Sequence, residues 1–338
     1  MQHATRMKDS RVGAAIAFCA LRYREGEKTM LRRHILAAAG ATLAAPAIVS
    51  RDVLGQNLRK VKMGSAFTTT TNAAFLMPAL LKPEGIDLEL VMFPSLVQRM
   101  QAVASGDVDI GNGGLSATMQ VATKGFPMQV LANGCDGGWM VLAQPSITSF
   151  KDLVGKKVAV QNGSIGLVSL NWKLKQEGVF GKVDMAFMDN QDQPIPLMRG
   201  DVAAICCFEP YAALAELNGW GKRLWVPYDS PMGKTNLGFV ASEKFTKADP
   251  GLTKTMVQAH VKATKEMQAN PSIAIETTIK QFKMTREVAE LSVKNLFFSA
   301  ESGAPFVSGL KALAKMMIDD KMLEREPDWG SFLNLGYA

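Results

Sequence analysis

Met100-Gln-Ala-Val-Ala-Ser-Gly-Asp-Val-Asp-Ile110 and Leu197-Met-Arg-Gly-Asp-Val-Ala-Ala-Ile205 share one layout: a helical pattern, a Gly-Asp-Val stop and a short apolar run. Glycine just past the last helical residue adopts the left-handed backbone that ends a helix, and the run behind it reads as a strand. Gly-Asp is a common turn and decides little at one place. At equivalent places in two α/β units, it favours a duplicated architecture. Outward from the first copy, residues 61–66, 88–93, 109–111 and 129–133 are short apolar or alternating runs. Helical patterns over 73–81, 96–105 and 116–124 lie between them, with Gly106 and Gly125 as stops, as in a parallel sheet with crossover helices. Around the second copy, 150–160 reads as turn then strand, 165–177 as helix, 185–188 and 203–207 as strands and 210–217 as helix. A further apolar run at 224–226 precedes 236–241, which leads into a helix-rich tail.

The chain has 338 residues, 47% hydrophobic and 20% charged, enough for two packed lobes. Its net charge of +7 is uneven: residues 1–47 carry +5 and the remainder +2, so no nucleic-acid partner is expected. That leader contains Arg32 and Arg33, then a weakly apolar stretch from Ala37 and a small-x-small site at Ala45 and Ala47. It reads as a signal peptide of the twin-arginine kind, hence export to the periplasm, with Met30 as an alternative start. Past Ala47 no run reaches the roughly eighteen apolar residues of a membrane span. Cys135, Cys206 and Cys207 are odd in number and two are adjacent, which argues for buried thiols rather than a disulfide framework. His260 is the only histidine beyond the leader, so a histidine-based metal site or Ser/His/Asp triad would rest on one residue. The methionines read as core filling rather than a copper site, and neither metal nor cofactor is expected.

Ala104-Ser-Gly-Asp-Val-Asp-Ile-Gly111, Leu153-Val-Gly-Lys-Lys-Val-Ala-Val-Gln-Asn-Gly-Ser164 and Phe208-Glu-Pro-Tyr211 occur in this order. In that ordered set the chain resembles the nitrate/sulfonate/taurine-type periplasmic binding proteins, over roughly 60–323. The resemblance implies a type II periplasmic-binding fold, two α/β lobes joined by a hinge, with lobe 1 at 58–145 plus 235–338 and lobe 2, at 146–234, inserted into it. It implies a non-enzymatic carrier that closes like a flytrap on a small organic or inorganic anion or zwitterion, a sulfonate or taurine-like ligand being favoured. Nitrate, aromatic carboxylates and pyrimidines stay open. The carrier's partner would be an ABC permease, and a monomer is the simplest form for lobe closure. Two rivals share the fold: a thiamine-pyrimidine or menaquinone-pathway enzyme, and a partner that presents ligand to a sensor.

Ligands of open α/β sheets bind at the carboxyl ends of strands, where helix N-termini offer unpaired N–H groups. Three segments fit. The first is the hydroxyl run holding Phe67, Thr68, Thr69 and Asn72; the second is Asn112-Gly113-Gly114-Leu115-Ser116; the third is Asn162-Gly163-Ser164-Ile165-Gly166. Thr71, Asn72 and Ser116 could equally be caps. Glu209 either caps the helix that follows it or faces the cleft to accept from a ligand amine. Tyr211, Trp139 and Phe67 would line an apolar wall, or pack in the core. Asp136 reads as a hinge or turn residue. None of the three loops holds Lys or Arg, which favours a monoanion or neutral ligand, while Arg99 and Arg199 read as solvated helix residues.

Overall fold

A computed structural model describes residues 58–337; the stretch 1–47, read above as a signal peptide, lies outside them. The strands are β1 (Arg59–Ser65), β2 (Ile86–Met92), β3 (Ile110–Gly114), β4 (Met128–Gly137), β5 (Trp139–Ala143), β6 (Lys157–Val160), β7 (Asp184–Phe187), β8 (Ala204–Phe208), β9 (Lys222–Trp225), β10 (Leu237–Ser242) and β11 (Leu296–Phe297). Helices α1 (Ala73–Leu81), α2 (Leu96–Ser105) and α3 (Leu115–Thr123) link the first strands, and α4 (Ile165–Gln176), α5 (Pro194–Arg199) and α6 (Tyr211–Leu217) follow β6, β7 and β8. The tail holds α7 (Glu243–Ala248), α8 (Pro250–Ala269), α9 (Pro271–Phe282), α10 (Arg286–Lys294), α11 (Ala304–Asp319) and α12 (Trp329–Phe332).

The strands form two sheets, in the orders β11-β4-β10-β3-β1-β2 and β7-β6-β8-β5-β9. The two orders repeat one plan. Three parallel strands, β2-β1-β3 in one sheet and β7-β6-β8 in the other, are flanked on the third by a strand of opposite direction. Gly106 and Gly200, at φ 87° and 84°, end α2 and α5 ahead of the two third strands. Val108 and Val202 behind them are buried, so each Gly-Asp-Val stop turns the chain and drives an apolar residue into the core.

The sheets are mixed, not parallel throughout. β10 runs antiparallel to β3 and β4, and β5 antiparallel to β8 and β9. Each of these strands arrives from the other sheet and needs no crossover helix, so nothing imposes a parallel direction on it. The chain first passes from one sheet to the other at Gly137-Gly138, where φ values of 69° and 82° disfavour residues other than glycine. A side chain at Gly138 would also meet Leu296 at 2.3 Å. Asp136, expected at a hinge or turn, lies just before this crossing and pairs with Phe297 across β4 and β11.

One apolar cluster runs from Met100 and Val103 on α2 through Trp139, Val160 and Leu170 to Leu310 and Met317 on α11. A second, around Met63, Met77, Phe239 and Met256, fills the other face of the first sheet. Cys206 and Cys207 occupy opposite faces of β8, as alternation along a strand requires, and cannot bridge. Burial raises the Cys206 thiol to about 12.

Helix α11 is seated by Gly309, where an added Cβ would lie 2.0 Å from Thr235 Oγ1 and 3.1 Å from the Met232 carbonyl. Gly309→Ala is therefore expected to lower stability by about 1–3 kcal/mol, the overpacking cost exceeding the helix-propensity gain. Thermal melts should show a lower Tm, partly recovered by adding Thr235→Ala. An unchanged Tm would refute the tight seat.

Candidate ligand-binding site

All the parallel strands direct their carboxyl ends at one cavity of about 40 Å³. From the first sheet it is lined by Ala66, Phe67, Thr68 and Thr70 after β1, by Pro94 and Leu96 after β2, and by Gly114, Asn236 and Leu237 where β3 meets β10. From the second it is lined by Gln161, Ser164 and Ile165 after β6, by Asn190 and Gln191 after β7, and by Phe208 at the end of β8. A site shared by two sheets can register their relative position. In volume it matches about three waters, so a ligand of a few heavy atoms fills it.

Arg99 completes the lining, and its placement corrects the expectation of a solvated side chain. It is only 4% exposed. It shares the buried stripe of α2 with Leu96, Met100 and Val103, and its stem lies against Gly64, 3.2 Å from where a Cβ would be. Among the described residues no carboxylate pairs with it, and its Nε has no hydrogen-bond partner. Burial lowers its pKa from 12.5 to about 10, so at neutral pH the guanidinium remains a cation. Helices α2, α3 and α4 begin at the cavity through Leu96, Gly114 and Ser164. Part of their first-turn N–H groups is already engaged, Gln98 by Ser95, Leu115 by the Asn236 carbonyl and Leu167 by Ser164; the rest, with the helix dipoles, add to the positive potential. Charge and donors together suit an anion.

Of the residues expected here, Phe67, Thr68, Gly114 and Ser164 line the cavity. Ser164 also caps α4, accepting from the Leu167 N–H at 3.2 Å and donating to the Gln161 carbonyl at 2.7 Å. Ser116 and Gly163 join the halves: the Ser116 hydroxyl donates to the Gly163 carbonyl at 2.7 Å. The others turn elsewhere. Asn72 donates to the Ala274 carbonyl and Thr278 on α9, and Thr69 accepts from the Ser292 hydroxyl at 2.7 Å. Gly113 is in strand β3, not a loop; a Cβ there would run into Val240, Thr118 and Met100. Trp139 is fully buried, donates to Ser169 at 3.1 Å and stacks on Phe208. Tyr211 packs beside Met140 and Ala212 on the far face of the second sheet.

For Glu209 the structure shows the first of its two readings. It is 0% exposed and accepts from the Ala213 N–H at 3.0 Å and from Asn295 Nδ2 at 2.6 Å, which is the capping role. His260 is a core residue, stacked on Phe239 at 4.6 Å with Nε2 2.9 Å from the Asn133 carbonyl. Burial lowers its pKa to about 4, leaving it neutral. No group of three or more His, Cys, Asp or Glu that could hold a metal ion occurs among the described residues.

Two α/β sheets facing one small cavity give the arrangement found in the periplasmic binding proteins, and the comparisons bear on that likeness. The family model described as NMT1/THI5 like matches residues 81–274, and the chain belongs to that family. The taurine-binding periplasmic protein of Escherichia coli (strain K12) is 26% identical over 67% of this chain and 72% of its own length. The alkanesulfonate-binding protein SsuA from Xanthomonas axonopodis pv. citri, solved bound to MOPS, superposes with a TM-score of 0.72 at 16% identity, covering 81% of this chain and 97% of that one. The ligand-binding component of an ABC-type import system from Staphylococcus aureus, solved with zinc bound, gives 0.75 at 19% identity over 82% and 97%. The fold is that of the periplasmic binding proteins.

Burial raises the Glu209 carboxyl to about 7 against the pull of its two donors. A folded-state pKa above the unfolded one means the folded protein holds this proton more tightly, so the contribution is present at low pH and lost as pH rises through about 7. His260 acts in the opposite sense, its contribution being lost as pH falls from 6.5 toward about 4. The stability of the wild type minus that of Glu209→Gln isolates the carboxyl. It should fall between about pH 5 and about pH 8 in denaturant titrations and then level off. A flat difference would refute the buried, proton-holding carboxyl.

Proposed function

We propose that this chain is the solute-binding component of an ABC importer, holding a small monoanion between its two halves with Arg99 as the counter-charge. The observation that carries the reading is a buried guanidinium without a carboxylate, in a cavity bordered by both sheets. An uncompensated buried charge is costly, and an anionic ligand removes that cost while joining the two halves. The binding role of the Escherichia coli relative, and the ABC-type import system of the Staphylococcus aureus structure, support the transport assignment.

In this reading lobe 1 is the first sheet with the tail and lobe 2 the second, hinged at Gly137-Gly138 and at 226–236, and the closed form docks on a permease. Arg32 and Arg33 support twin-arginine export to the periplasm, and a monomer suits the closing motion. No helix among the described residues is long and apolar enough to cross a membrane.

Thermal unfolding of the mature protein against sulfonates, nitrate and small carboxylates should show a Tm rise with one anion class. At a hundredfold excess over Kd that stabilisation is about 2.7 kcal/mol. Arg99→Gln should weaken the same ligand by about ten- to a hundredfold, the range of a lost charge-assisted hydrogen bond. Equal affinity in the variant would refute Arg99 as counter-charge.

A further inference from the structure

A second cavity, of about 510 Å³, shares no lining residue with the cleft. Asn133 and Asp136 line it from the end of β4, Lys234 from the segment that returns to β10, and Phe306 from the first turn of α11. Both passages of the chain between the sheets therefore border it, and they are joined there, the Gly137 N–H donating to the Lys234 carbonyl at 2.8 Å.

Its polar groups lack donors. Asp136 Oδ2 accepts from Asn133 Nδ2 at 3.0 Å, while Oδ1 accepts no hydrogen bond among the described residues. Nor does any Lys or Arg among them come within ion-pairing distance of that carboxylate. Desolvation raises its pKa to about 6, so at neutral pH a half-buried anion stands there without a counter-ion. Asn133 is 1% exposed, and its Oδ1 has no hydrogen-bond partner. Glu301 adds a second carboxylate from the segment ahead of α11.

We infer that this cavity is a second ligand site, for a small organic molecule with a primary ammonium group. The ammonium goes to Asp136 and Asn133, and the carbon skeleton lies on Pro231, Pro305 and Phe306. An ammonium is a compact charge with three donors, which suits two neighbouring acceptors, and a carboxylate short of water gains most from it. A metal ion is less suited, since no group of three or more His, Cys, Asp or Glu that could hold one occurs among the described residues. Lys234 is the competing charge. Its Nζ lies 3.6 Å from the centre of the Phe297 ring, on the aromatic face instead of on Asp136, so it weakens the negative potential without occupying the site. None of this depends on Arg99 or on an anion in the cleft.

The test is thermal unfolding of the mature protein at neutral pH in propylammonium chloride, against sodium chloride and tetramethylammonium chloride at equal ionic strength, with Kd taken from the dose dependence of Tm. Tm should rise with propylammonium alone, because tetramethylammonium has the charge but no N–H. Asp136→Asn should weaken that ligand about ten- to a hundredfold, the range of a lost charge-assisted hydrogen bond. Ser308 lines the cavity from an exposed position on α11, so Ser308→Trp should fill the site and abolish the shift in a chain that still folds. Equal Tm in the three salts, or a propylammonium shift that persists in Ser308→Trp, overturns the inference even where Asp136→Asn is too unstable to measure.

Discussion

An arginine on the buried stripe of a ten-residue helix, with no carboxylate opposite it, is the constraint on which the centre of this molecule turns. Folding alone would favour leucine at position 99, continuing the run of Leu96, Met100 and Val103. Instead the helix carries a charge into the core, where desolvation works against it. The surroundings accommodate that charge without neutralising it. Gly64 leaves room for the stem, and three helices begin rather than end at the cavity, although their dipoles repel a cation. The proposed anionic ligand would relieve that conflict. Local frustration of this kind is what a binding site looks like when its ligand is part of the energetics.

The strand order makes this concentration of positive potential possible. In both sheets three parallel strands end at the same edge, and the two edges oppose each other across the cavity. A parallel strand delivers its carboxyl end, and the helix after it begins there with unpaired N–H groups. Duplication of the plan doubles the donors without any added charge. Hence both copies of the Gly-Asp-Val stop matter to function, though neither touches the cavity: they fix where β3 and β8 begin, and so where Gly114 and Phe208 end up.

Most of that framework was legible from periodicity and stop residues, because helix ends and strand starts are local events. The cavity-lining loops after β1 and β6 were legible for the same reason. What was not legible depended on partners distant in sequence. Asn112-Gly113-Gly114 reads as a loop, since glycine and asparagine favour turns, yet β10 pairs with it and Val240 and Met100 pack so closely that only glycine fits. Glu209 reads equally as cap or ligand contact until Asn295, 86 positions away, takes one of its oxygens. Arg99 did leave a signal. Its spacing from Leu96 and Val103 places it on the apolar face, and that periodicity was the better guide than the general solubility of arginine.

Closure and selectivity meet in the same few groups. Across the cavity the halves share a hydrogen bond from Ser116 to Gly163, and farther out an ion pair between Lys175 on α4 and the buried Asp320 at the end of α11. A single hydroxyl-to-carbonyl bond contributes about 1 kcal/mol, and a partly exposed ion pair at most about the same. Neither is enough to hold two lobes shut against the entropy of an open ensemble, and neither depends on ligand. The halves also share the bond from Asn295 to Glu209 and one continuous apolar cluster, so in the proposed reading what a ligand adds to these is a partner for Arg99. In the proposed reading, an anion touching Arg99 from one half and the start of α4 from the other would make both contacts only when the halves are together, and so would favour the closed form. The same reasoning explains why a binding site of this kind uses a charge rather than more apolar surface: apolar walls would close on one another without a ligand, whereas a buried guanidinium keeps the empty cleft from being its own best partner.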